Sequence, residues 1–151
     1  MPVVKEVPGQ WVLYARHELK SPMEIGKHAD KDEPALRAIA ASHGLEVVGP
    51  VAHAYWDMAV KGAPHLLEIW IPVRNESEKK IIPEIKQVPA YKCLAMDFKR
   101  PIEEIGDAWM ELGDKCREEG HIANHHDREV YRVMDCDNPR NNDIELQLGI
   151  K

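Results

Sequence analysis

Two stretches of this chain carry the same punctuation. Leu36, Ala40 and Gly44 recur as Leu112, Cys116 and Gly120 at a constant offset of 76, and Leu67-Glu68-Ile69 recurs as Ile144-Glu145-Leu146 at an offset of 77. The first set reads as the end of a helix and the second as a strand, so two independent anchors give nearly one spacing. A chain built from two copies of a unit must bury the apolar face of each against something shared. The spacing therefore predicts an α+β fold of duplicated strand-helix-strand-strand units. It implies pseudo-twofold symmetry, an antiparallel sheet and a central ligand cleft. A single domain spans 1–151, with a first half at about 11–73, a connector at 74–90 and a second half at about 91–150.

Local patterns fill in the units. Trp11 to Glu18 is rich in aromatic and aliphatic residues after a Pro8-Gly9 turn signal, and predicts a strand. Glu33 to His43 predicts a helix, with Pro34 at its first turn, Leu36, Ile39, Ala40 and His43 on one face, and Gly44 as the stop. The polar stretch before it, Leu19 to Asp32, holds at most a helical turn near Glu24-Ile25-Gly26. Glu46 to Trp56, bent at Gly49-Pro50, and His65 to Val73 predict two strands. The connector is charged, with Ile81, Ile82 and Ile85 as anchors. In the second half, Tyr91–Phe98 reads as a strand and Pro101–Glu119 as the clearest helix. Ile102, Ile105, Trp109, Leu112 and Cys116 stripe one side of it, and Gly120 ends it. Strands follow at Arg128–Met134 and Asp143–Ile150.

Composition removes several classes of function. The net charge of −6 and the scattered Lys and Arg argue against a nucleic-acid surface. No apolar run approaches the roughly 20 residues of a membrane helix, and the N-terminus lacks a signal peptide's apolar stretch. Three cysteines without a CxxC read as reduced thiols in a cytoplasmic protein. There is no GxGxxG, Walker loop, HExxH or GxSxG, so no cofactor is expected. His121, His125, His126 and Asp127 cluster, but after Gly120 and around Asn124 they read as a polar loop, and no metal is assigned. Trp109 reads as core packing.

Side chains alternate along a strand. In His65–Val73, Leu67, Ile69 and Ile71 share one face, and Glu68 and Trp70 the other. In Asp143–Ile150, Ile144, Leu146 and Leu148 share one face, and Glu145 and Gln147 the other. The aliphatic faces are expected under the helices. A groove lined by Glu68, Trp70, Glu145, Gln147, Tyr131 and Tyr55 would suit an aromatic or cationic ligand. The same pattern fits solvent-facing residues on the open side of an antiparallel sheet. Apposed carboxylates also allow acid–base work where burial lifts one pKa, with Glu145 as the catalytic candidate.

The repeated order, the strand Glu68-Ile69-Trp70-Ile71-Pro72-Val73 and the ending Arg128-Glu129-Val130-Tyr131 … Glu145-Leu146-Gln147 resemble the GyrI-like effector-binding domain family over roughly 11–150. Its relatives include the drug-binding domains of BmrR-type and AraC-type transcription regulators. The resemblance implies a cleft in which Glu145, Tyr131, Glu68 and Trp70 bind lipophilic, often cationic, compounds. It implies a stand-alone member without a DNA-binding domain, which senses or sequesters a small organic ligand. Two alternatives come with it: a hydrolase of electrophilic cyclopropane-bearing dienones using a cleft glutamate, and a protein-interaction role such as DNA gyrase inhibition. An exposed sheet edge would allow a homodimer, and a separate regulator is the other partner considered. Gly149 departs from the proline that relatives often carry there.

Overall fold

In the computed structural model, which describes residues 1–75 and 81–151, the β-forming segments join one nine-stranded antiparallel sheet. The strands are β1 (Val3–Val7), β2 (Gln10–Leu19), β3 (Glu46–Val47), β4 (Ala52–Trp56), β5 (His65–Arg74), β6 (Ile85–Val88), β7 (Tyr91–Phe98), β8 (Ala123–Val133) and β9 (Asp143–Ile150). Their order across the sheet is β1-β7-β9-β8-β4-β5-β2-β6, with β3 pairing β5. The two helices are α1 (Ile25–Ser42) and α2 (Ile105–Glu118).

The two aliphatic faces expected from the alternation do lie under the helices. Leu67, Ile69 and Ile71 of β5 join Leu13, Leu36 and Ala40 in one core. Ile144, Leu146 and Leu148 of β9 join Leu94, Phe98, Ala108, Leu112 and Cys116 in a second. Full burial of each such aliphatic side chain contributes about 1.5–3 kcal/mol. The cores meet at the pairing of β4 with β8, where Tyr131 packs against both. Among the described residues no helix is long and apolar enough to cross a membrane.

Several segments differ from expectation. α1 begins at Ile25 rather than Glu33, so Pro34 lies inside it and cannot donate a helix hydrogen bond to Asp30. The polar stretch conceals a continuous inner face of Ile25, Ala29, Asp32, Leu36 and Ala40. Asp32 breaks the apolar pattern, but its carboxylate lies 2.5 Å from His17 Nε2 of β2. The start is set by Ser21, whose hydroxyl accepts the Met23 N–H ahead of a 3-10 turn. The strand expected over 46–56 divides into β3 and β4. The connector contains a strand, β6, which pairs with β2; Ile82 and Ile85 pack on the core while Ile81 is exposed. Residues 76–80 of that connector lie outside the described residues. β8 begins at Ala123 rather than Arg128: the histidine-rich stretch is strand, interrupted by a register shift between Ala123 and Asp127, with His125 at φ +63°.

Candidate functional site

β4 and β8 run antiparallel with Tyr55 opposite Asp127 and His53 opposite Glu129. Since the side-chain period is two, Asp127, Glu129 and Tyr131 all point to the helix side of the sheet, with Tyr55 and His53 beside them. Glu129 is 5% exposed. Its Oε1 accepts the Tyr55 hydroxyl at 2.8 Å and the Tyr131 hydroxyl at 2.7 Å, and its Oε2 accepts Trp109 Nε1 at 2.7 Å. All three donors are neutral. Among the described residues the nearest cation-forming group is His53, with Nδ1 at 3.9 Å, and burial pushes its pKa down to about 4, so it is neutral at physiological pH. Burial and the adjacent carboxylate hold both tyrosines well above their ordinary pKa, so they stay donors. Glu129 is thus a buried carboxylate with good hydrogen bonds and, among the described residues, no charged counter-ion, an arrangement that favours bringing a positive charge to it.

It opens on a cavity of about 590 Å³ between α1 and α2. Trp109, Ile105 and Gly113 form the α2 wall; Ile25, at the start of α1, and Met58 and Ala59, after β4, lie across from them. Tyr55, Glu129, Asp127 and Leu148 form the floor, and Cys116, Arg117, His121 and His125 close one end. That size and this mostly apolar lining suit a small organic ligand. Asp127 is held by the Gly149 N–H at 3.1 Å. Burial lifts its pKa to about 6, against the lowering effects of that N–H and of His125.

Of the residues anticipated as ligand contacts, Tyr55 lines the cavity and Tyr131 orients its carboxylate. Glu68, Trp70, Glu145 and Gln147 are not brought together with them, because they lie on the opposite face of the sheet. There Glu68 pairs with Arg16 at 2.9 Å and Lys86 at 2.7 Å and accepts Trp70 Nε1. Glu145 pairs with Lys5 at 3.0 Å and Arg132 at 3.5 Å, and accepts Gln147 Nε2 at 2.6 Å. Both acids have their counter-ions within the chain, unlike Glu129. Between these groups Arg128 lies over the Tyr91 and Trp70 rings and donates to His126 Nε2. Sequence reasoning missed Glu129, Asp127 and Trp109 as site residues. Parity was the available signal: Tyr131 is opposite Ile144, so it shares a face with Glu129 and not with Glu145.

Searched by sequence, no family model and no curated protein matches the chain. Among solved structures, the EcmrR C-terminal domain superposes with a TM-score of 0.82 at 17% identity, covering all of this chain and 97% of that domain. The EcmrR chain in its DNA complex matches at TM-score 0.81, and this chain spans 57% of its length. SAV2435 bound to tetraphenylphosphonium matches at TM-score 0.65 and 7% identity, covering all of this chain and 94% of that one. A hydrolase from Listeria innocua matches at 0.63 and 15%, covering 99% of this chain and 91% of that one. At these identities the likeness is one of fold: an α+β fold shared with the C-terminal domain of a protein that forms a complex with DNA.

Proposed function

We propose that this chain is an effector-binding domain of the GyrI-like kind, which senses or sequesters lipophilic organic cations in the cavity over Glu129. One observation carries this reading: a 5% exposed carboxylate served by three neutral donors and, among the described residues, by no cation, at the floor of a cavity that Trp109 and Tyr55 line. A ligand cation supplies the missing charge, and Trp109 and Tyr55 offer it ring faces. The tetraphenylphosphonium held by the fold neighbour SAV2435 supports the ligand class. The same reading takes the chain as two repeated units, one around α1 and one around α2, with the cavity where they meet. A cytoplasmic location fits a sensor of this kind.

A second reading, hydrolysis of an electrophilic ligand, draws on Asp127. With its pKa lifted to about 6, it is a serviceable proton carrier two residues from Glu129. The fold shared with a Listeria innocua hydrolase is compatible with it.

The test is a titration of the purified protein, followed by tryptophan fluorescence, with tetraphenylphosphonium, with benzyltrimethylammonium and with its uncharged shape twin neopentylbenzene. Saturable quenching by the cations and not by the twin is expected. Equal binding of the twin, or no binding of either cation by folded protein, overturns the proposal.

A further inference from the structure

Glu129 is not the only acid in the cavity. Asp127 lines it too, from the same strand and the same face. Alternate residues of a strand have Cα atoms roughly 6.8 Å apart, so the floor presents two carboxylates rising from neighbouring positions of one face. They differ in how they are held. Glu129 has all three of its donors on side chains, while Asp127 has only the Gly149 N–H on Oδ1, and among the described residues no donor reaches its Oδ2. Among the described residues, neither is ion-paired to Lys or Arg. Arg117, at the end of the cavity, is turned to Asp114 on the helix surface. His125 and His121 stand at the Asp127 end, and Trp109 and Tyr131 at the Glu129 end. Between the walls the lining is apolar, from Ile25, Met58, Ile105 and Leu148.

We propose that the cavity takes an organic dication, with an apolar or aromatic spacer that sets its two positive centres opposite Glu129 and Asp127. This rests on the cation reading above and adds valence and spacing to it. A single cation neutralises one carboxylate and leaves the other, at most half-exposed, without Lys or Arg beside it among the described residues. A dication of matching length neutralises both, while its spacer occupies the apolar middle. The raised pKa of Asp127, due first to burial, shows that the Gly149 N–H and His125 do not offset the cost of its charge, and at neutral pH most of the group is still ionised.

The experiment is calorimetric titration at pH 7.5 with benzylamine, 1,4-bis(aminomethyl)benzene and its 1,2-isomer, against wild type and Asp127→Asn. Asparagine keeps an oxygen for the Gly149 N–H, and circular dichroism with thermal melts verifies folding; Asp127→Ser serves if Asp127→Asn fails to fold. The 1,4-isomer is expected to bind wild type about tenfold or more tighter than benzylamine, the gain of one further charge contact at low effective dielectric. The 1,2-isomer, equal in charge but too short, gains less. In Asp127→Asn the advantage of the 1,4-isomer over benzylamine disappears, although both amines lose some affinity with the charge. Equal affinity for the 1,4-isomer and benzylamine, equal affinity for the two isomers, or an advantage that survives Asp127→Asn overturns the dication proposal and leaves the cation reading standing. Failure of all three amines to bind folded wild type overturns both.

Discussion

Replacing Glu129 by glutamine removes one charge and almost nothing else. The amide oxygen still accepts Tyr55 and Tyr131, which share Oε1, but the amino group then faces the Trp109 N–H that Oε2 received. Two donors facing each other cost about 1 kcal/mol. Relief of an uncompensated buried charge opposes that cost, so the melting temperature should move by only a few degrees. Binding responds differently. A ligand cation about 4 Å from the carboxylate, at an effective dielectric near 20, interacts with it by about 4 kcal/mol. Ligand desolvation and the open mouth of the cavity reduce the net to about 2–3 kcal/mol, or roughly 30- to 150-fold in Kd. The assay is benzyltrimethylammonium titration of wild type and Glu129→Gln, read by calorimetry because Trp109 fluorescence is itself altered by the substitution. Neopentylbenzene gives the apolar contribution alone and should not change by more than about threefold, well under 1 kcal/mol. A Kd for the cation that moves no more than that of the neutral twin would refute the reasoning, since it would mean that the unpaired charge contributes nothing to recognition.

Acid should weaken the fold. Burial lowers His53 and His126 to about 4 from an ordinary 6.5 and raises Asp127 to about 6 from 3.8. Between pH 6 and 4 the unfolded chain therefore holds about two imidazole protons that the folded chain lacks, while the folded chain holds about one carboxyl proton that the unfolded chain lacks. Stability from these groups falls by about 1.4 kcal/mol per pH unit as pH drops through that window. Urea unfolding at several pH values should show the slope, and His53→Gln should flatten it; an unchanged slope in that variant contradicts the assignment. Leu112→Ala, at a fully buried site under β9, should cost about 3 kcal/mol in urea unfolding, and a loss below about 1 kcal/mol would mean that α2 is loosely packed. Gly149→Ala should destabilise by about 1–3 kcal/mol, because its Cβ would meet the Asn124 side chain and the His126 carbonyl across the β8 bulge. A thermal melt identical to wild type would show that the bulge gives way freely.

Much of the fold was legible because strand alternation and helix striping state directly which face is buried. Tyr91–Phe98 and Asp143–Ile150 are strands over the very residues anticipated, and their aliphatic faces lie under α2. The start of α1 was not legible: Asp32 occupies an apolar position, and only its contact with His17, fifteen residues earlier in the chain, makes that burial tolerable. The bulge in β8 was hidden for a similar reason. A positive φ at His125, a residue that seldom adopts one, has no signature in composition. The site was half legible. Tyr55 and Tyr131 stood out as aromatic strand residues, but their acid was taken from β9 when it lies on their own face in β8. Two features drew attention to the acids of the other face: Glu68 and Glu145 recur at nearly one spacing, and Glu129 has no such counterpart. Their basic partners, Arg16, Lys86, Lys5 and Arg132, are scattered through the chain and become neighbours only in the sheet.

The floor and walls of the cavity are anchored to different parts of the molecule. Glu129 and its two tyrosines belong to the central strands, whereas α2 rides on β7 and β9. Trp109 is the tether between them, since its N–H reaches from the helix to the floor carboxylate. Any occupant that draws Glu129 toward itself competes with that tether. The charge and the helix that walls it are thus joined by one hydrogen bond, from a ring that also lines the space left for a ligand.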